Sequence, residues 1–124
     1  MRVAVLVAAA TTTFATPAYA DMSVSTFLGK ADALKSKGMF AMMSSDVGLL
    51  QTEMKAAFAA YRADVDAAVA AKRPPPGCPP PKGSAKISSD EVIADFRTVP
   101  AAQQAKISVK TAVYAMMKKR YPCR

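Results

Sequence analysis

Cys78 and Cys123, the only two cysteines, are the most reactive side chains of this chain, and their chemistry depends on the compartment. In an oxidising compartment two thiols close into one disulfide, whereas in a reducing one they stay free and are usually buried. A bridge would close a loop of 46 residues, counting both ends. The chain-entropy model values such a loop at about 4 kcal/mol of stability. The choice between a bridge and two free thiols rests on the rest of the sequence.

The first twenty residues have the three-part layout of a secretory signal. Arg2 precedes the apolar run 3–10, and the small residues Ala18 and Ala20 stand where signal peptidase needs them, just before Asp21. The apolar run is far shorter than the roughly 20 residues that a membrane-spanning helix needs. We therefore predict cleavage before Asp21, a periplasmic protein without stable membrane insertion, and a bridge between Cys78 and Cys123.

Residue types that usually carry catalysis are scarce. There is no histidine, which removes the commonest general base and metal ligand, and the bridge would use both thiols. The few scattered glycines form no phosphate-binding loop. Glu91 and Asp95 lie one helical turn apart and could form a paired-carboxylate site, but acids near a helix start ordinarily offset the helix dipole. We predict a protein without enzymatic activity, cofactor or metal.

Three closely spaced methionines suggest one other kind of site. Met39, Met42 and Met43 carry thioethers, which are soft ligands for copper(I). No histidine or free cysteine accompanies them, and flexible methionine side chains commonly fill gaps in a core. We interpret these methionines as core residues.

The positive charge is concentrated in the second half of the chain. Residues 74–124 carry nine basic and three acidic side chains, against seven and six in residues 21–73. Such a field favours an acidic partner or an anionic surface, or it simply keeps the protein soluble. The run Lys118, Lys119 and Arg120 is the candidate partner-binding site. Nucleic acid is not an expected partner, because the protein is exported and has no aromatic-rich basic patch.

Hydrophobic periodicity predicts helices at about residues 25–37, 46–72, 88–100 and 106–120. Ser88 and Glu91 have the spacing of a capping box at the start of the third helix. The second helix has the most regular apolar stripe, which comprises Val47, Leu50, Met54, Phe58, Tyr61, Val65 and Val69. The expected fold is all-α: one domain over residues 21–124, built as a small bundle of four main helices with a proline-rich connector and one disulfide.

The connector, residues 74–83, contains six of the nine prolines and surrounds Cys78. Proline removes a backbone donor and fixes φ, so neither a helix nor a central strand is expected there. Such a segment is either a recognition motif or a stiff, extended strap. Because Cys78 would tie down its centre, we interpret it as a strap.

The segment from Cys78 to Cys123 resembles the C-terminal half of the Rap/Tai-type immunity family. The shared layout is Cys78-Pro79, a short helix from Ser88 to Pro100, and an alanine-rich helix through Val109 that ends in Tyr121-Pro122-Cys123. Members are small exported helical proteins that neutralise type VI secretion amidase effectors in the periplasm. The resemblance implies a non-enzymatic protein, monomeric or dimeric, that occludes the cleft of a peptidoglycan amidase.

Two other functions stay open from the residues alone. One is a periplasmic stress chaperone of the small, helical, acid-activated type, which also uses one disulfide and few aromatic residues. The other is a cell-envelope accessory protein whose basic half contacts anionic wall polymers.

Overall fold

The computed structural model describes residues 22–124, so the predicted signal segment and its cleavage site at Ala18, Ala20 and Asp21 lie outside the described residues. The elements are α1 (Val24–Lys37), a 3-10 helix (Gly38–Met43), α2 (Ser45–Ala70), α3 (Ser89–Arg97), the short α4 (Ala101–Gln104) and α5 (Val109–Arg120). Residues 22–124 form no strand, only an isolated bridge between Ser23 and Ser108. The prediction of an all-α bundle with four main helices is confirmed.

A serine begins each of the four main helices. The side-chain oxygens of Ser23, Ser44, Ser88 and Ser108 accept hydrogen bonds from backbone N–H groups two or three residues further on. Each such cap typically stabilises a helix by about 1 kcal/mol. The predicted capping box of Ser88 and Glu91 is confirmed.

The core is formed mainly by α1, α2, α3 and α5. The inward face of α5 consists of five buried residues at helical spacing, which are Val109, Ala112, Val113, Met116 and Met117. Phe27 of α1 meets Phe96 of α3 edge to face, with ring centroids 5.4 Å apart. Such a pair contributes about 0.5–1.5 kcal/mol beyond the area that it buries.

Helix α2 packs most extensively on α5, and its buried stripe differs from the predicted one. Ala57 and Ala68 are buried, whereas Val69 is 62% exposed, so the prediction that Val69 faces the core is wrong. Since successive residues are rotated by about 100° in a helix, burying Ala68 turns Val69 towards solvent.

Candidate functional site

The strap is fixed to two helices at one end of the molecule. Cys78 and Cys123 form a disulfide with their Cα atoms 5.0 Å apart, which confirms the predicted bridge. Beside it, the backbone N–H of Cys78 donates to the carbonyl oxygen of Tyr121 at 2.8 Å. From α2, Arg62 Nη1 donates to the carbonyl oxygen of Pro80 at 2.7 Å. The proline-rich segment is therefore anchored to both α2 and the end of α5.

Gly77 of the strap lies close to Tyr61 of α2. A Cβ atom at this position would lie 2.2 Å from the hydroxyl oxygen of Tyr61. Tyr61 is completely buried, and its hydroxyl has no hydrogen-bond partner among the described residues. Burial raises the pKa of Tyr61, and neighbouring Arg62 lowers it in part. Position 77 therefore has no room for a side chain.

The candidate basic residues lie at the exposed end of α5, but two of them already have partners. Lys119 Nζ is 2.6 Å from a carboxylate oxygen of Asp95, and Arg120 Nη2 is 3.1 Å from one of Glu91. Lys118 takes part in no ion pair within residues 22–124. Lys119 and Arg120 thus join α5 to α3, and the assignment of the three as a partner-binding site stays a prediction.

Glu91 and Asp95 each engage a separate cation. The carboxylate of Glu91 also accepts a hydrogen bond from the backbone N–H of Ser88 at 2.7 Å. This bond, followed by the bond from Arg120, lowers the pKa of Glu91. Glu91 therefore caps the start of α3, and both acids link α3 to α5.

The 3-10 helix between α1 and α2 carries most of the exposed apolar side chains. Met39, Phe40, Met42 and Met43 are 94%, 75%, 81% and 85% exposed, and we call these four side chains the apolar tip. The interpretation of the methionines as core residues is therefore wrong. The physical reason is location: among the described elements only α1 packs appreciably on this turn.

The three methionines of the apolar tip lie on different sides of the 3-10 helix. In a 3-10 helix, residues three apart eclipse each other. Met39 therefore shares one side of the turn with Met42, while Met43 shares another with Phe40. The apolar tip presents thioethers and an aromatic ring around its circumference, which suits hydrophobic contact better than a three-sulfur site.

An apolar groove of about 640 Å³ lies beside the tip, between α1, α2 and the start of α3. It is lined by Phe27, Ala31, Leu34, Val47, Leu50, Gln51, Met54, Lys55, Phe58, Ile87, Ser89, Val92 and Ile93. Lys55 is the one charged side chain of this lining. The groove exists because α3 packs on α1 and has little contact with α2.

A second depression of about 890 Å³, the basic cleft, lies between α2 and the strap. It shares Lys55 and Phe58 with the apolar groove, so the two are adjacent. Arg62 and Lys82 add two further cations, and the one carboxylate of the lining is Asp66. Sequence reasoning missed both depressions, because their walls come from segments far apart along the chain.

Within residues 22–124, no three His, Cys, Asp or Glu side chains are close enough together to hold a metal ion. No helix in the same part of the chain is long and apolar enough to cross a membrane. The sequence matches no protein-family model, and no curated protein or solved structure is significantly similar to it. The candidate binding surfaces among residues 22–124 are the apolar tip, the apolar groove and the basic cleft.

Proposed function

We propose that this protein is an exported, non-enzymatic binding protein that neutralises an enzyme by occupying its active-site cleft. The proposed target is a peptidoglycan amidase effector, as for the Rap/Tai-type immunity family that the C-terminal half resembles. The observation that carries the proposal is the apolar tip, which places four large hydrophobic side chains in solvent at the end of a helical hairpin.

Burial of the tip side chains by a partner would provide enough free energy for binding. Burying one large apolar side chain typically contributes about 1.5–3 kcal/mol, so burying four would contribute about 6–12 kcal/mol before the costs of association. Clusters of large exposed apolar side chains mark protein interaction sites. A projecting apolar segment is complementary to a concave site, and an enzyme cleft is such a site.

The tip is also held in place before it binds. The backbone N–H of Gly38 donates to the carbonyl of Lys35, and that of Ser44 donates to the carbonyl of Ala41. Below the tip, an ion pair of 3.0 Å between Lys30 and Asp46 joins α1 to α2. A preorganised segment loses less conformational entropy on binding, which raises affinity.

Occlusion needs no catalytic group in this chain. The chain has no histidine, both thiols are in the bridge, and Glu91 and Asp95 are occupied by cations. These observations support a role in which the surface of the protein, rather than a reactive side chain, produces the effect.

The test compares two variants of the tip. In the tip-serine variant Met39, Phe40, Met42 and Met43 are replaced by serine, and in the tip-leucine control the same four are replaced by leucine. Purified amidase effectors are incubated with peptidoglycan, and peptide release is followed with increasing amounts of each protein. We expect near-stoichiometric inhibition by the wild type and the tip-leucine control. Inhibition by the tip-serine variant should weaken at least about 100-fold. The proposal is wrong if no amidase is inhibited, or if the serine variant inhibits as well as the wild type.

A second function, acid-activated chaperone activity, is favoured by the ion pairs between α3 and α5. Protonation of Glu91 would remove its attraction to Arg120 and so weaken the junction between α3 and α5. Methionine-rich apolar surfaces suit varied clients, because their side chains adapt. Light scattering of an aggregating client at a pH of about 2–3, where carboxylates are protonated, is the measurement. Unchanged aggregation in the presence of this protein would eliminate the chaperone function.

A further inference from the structure

We infer that the apolar groove and the basic cleft form one docking groove for an acidic amphipathic helix of the partner protein. The inference rests on the proposed function, because it specifies the chemistry of the partner segment that lies beside the apolar tip.

The two depressions adjoin each other along α2. They meet at Lys55 and Phe58, which line both. From Val47 at one end to Asp66 at the other, α2 advances 19 residues, or about 28 Å at 1.5 Å per residue. A partner helix of about five turns matches this length.

The wall nearest the tip provides contacts for an apolar helix face. Leu34, Val47, Met54, Phe58 and Ile93 are all partly buried, so each still offers hydrophobic surface to an incoming side chain. A helix placed in such a groove binds through anchors at positions i, i+3 or i+4, and i+7. The apolar half of the docking groove therefore binds the apolar face of the partner helix.

The other half selects the charge of the partner. Lys55, Arg62 and Lys82 face the groove with Asp66 as the one opposing carboxylate. The hydrogen bond to Pro80 fixes the guanidinium of Arg62 in this wall. A helix with carboxylates beside its apolar stripe is attracted, whereas a basic helix is repelled.

A second copy of this chain is a poorer occupant. The exposed apolar element that it could insert is the tip, whose neighbours Lys35 and Lys37 are exposed lysines. Docking the tip would bring these lysines towards Lys55 and leave the cations of the cleft without carboxylates. Charge complementarity therefore favours an acidic partner over self-association.

The test uses two designed helical peptides of about 20 residues, which share one leucine stripe and differ only in carrying glutamate or lysine beside it. Fluorescence anisotropy gives their affinities at about 0.05 M and 0.3 M salt, where screening differs strongly. The glutamate peptide should bind at least about 10-fold more tightly than the lysine peptide at low salt, and the difference should shrink at high salt. Equal binding of the two peptides, or binding of neither, would overturn the inference.

Charge-reversal variants locate the site. The double variant Lys55→Glu/Lys82→Glu alters two exposed groove lysines, and Lys106→Glu is the control at an exposed lysine outside both linings. We expect at least about 10-fold weaker binding of the glutamate peptide to the double variant and a change below about 2-fold for the control. Circular dichroism checks that both variants fold. Equal loss in the double variant and the control would contradict the assignment.

Backbone amide shifts then separate this inference from the proposed function. Binding of the glutamate peptide should shift resonances of residues 47–66 and 87–93, and the tip-serine variant should still bind it. If shifts are confined to residues 38–43, the groove assignment is wrong while inhibition by the tip stands. If the peptide binds in the groove and no amidase is inhibited, the proposed target is wrong while the groove stands.

Discussion

The two ends of this molecule differ in whether their large apolar side chains are buried or exposed. At the strap end, Tyr61 and Met116 are fully buried and the Cys78–Cys123 bridge closes the structure. At the tip end, four large apolar side chains lie in solvent beside an open groove. Buried apolar surface stabilises the fold, whereas exposed apolar surface gains free energy only when a partner covers it. The difference separates a stabilising end from a recognition end.

The basic side chains of the two ends also differ, because some form ion pairs and others do not. Lys119 and Arg120, near the strap end, form ion pairs with acids of α3. Lys55 and Lys82 line the groove and form none within residues 22–124. The first pair serves the fold, and the second pair is free to meet an acidic partner.

The largest expected effect comes from removing the bridge. The double variant Cys78→Ser/Cys123→Ser should lose about 4 kcal/mol of unfolding free energy, because a long loop of the unfolded chain is no longer closed. Urea unfolding measures the loss, and reduced wild-type protein is the control. A loss below about 1 kcal/mol would mean that the disulfide contributes little to the stability of the strap end.

The next effect tests the contact between the strap and α2. Gly77→Ala should cost about 1–3 kcal/mol, because the added Cβ would overlap the hydroxyl of Tyr61. Tyr61→Phe alone should be neutral or stabilising by up to about 1 kcal/mol, since that hydroxyl has no hydrogen-bond partner among the described residues.

Two further variants complete this test. The double variant Gly77→Ala/Tyr61→Phe should recover part of the loss, because the obstructing oxygen is gone. Gly48→Ala, in a helix and with nothing within 4 Å of its added Cβ, is the matched control and should stabilise by about 0.5–1 kcal/mol. If Gly77→Ala and Gly48→Ala changed the free energy of unfolding equally, Gly77 would not be in tight contact with Tyr61.

A smaller effect appears at alkaline pH. Burial, followed by the hydrogen bond that Tyr114 donates to Asp64, raises the pKa of Tyr114 above its usual value of 10.0. The folded protein therefore keeps a proton that the unfolded chain releases, so stability is complete below about pH 10 and falls as the pH rises further. Melting temperatures should decline above that pH, and less steeply for Tyr114→Phe. Identical pH profiles for the two proteins would contradict this origin.

Local sequence features predicted the helices well. The capping box of Ser88 and Glu91 depends on two residues only three positions apart, so spacing alone was sufficient to predict it. The first helix begins at Val24 because Ser23 caps it, one residue earlier than the periodicity suggested. Burial between elements was harder to predict: α2 buries Ala57 and Ala68, to which a hydrophobicity pattern gives little weight, and leaves Val69 exposed.

The candidate site depended on contacts that the sequence does not reveal. The basic run at the end of α5 was visible, but its pairing with Glu91 and Asp95 links residues more than twenty positions apart. The methionines looked like core residues, because composition does not show which turn stays uncovered. The apolar groove combines three segments of the chain, and the basic cleft combines α2 with the strap, so no spacing rule predicts either depression.

The smallest expected stability change gives the most direct test that the tip serves recognition and not folding. Urea unfolding of the tip-serine variant should give a free energy within about 0.5 kcal/mol of the wild type, as for most surface substitutions. The same variant should have lost inhibition of the amidase. If the four side chains were packed in a core, their replacement would cost about 6 kcal/mol or more. A loss of that size would contradict the assignment of this end of the molecule to partner binding.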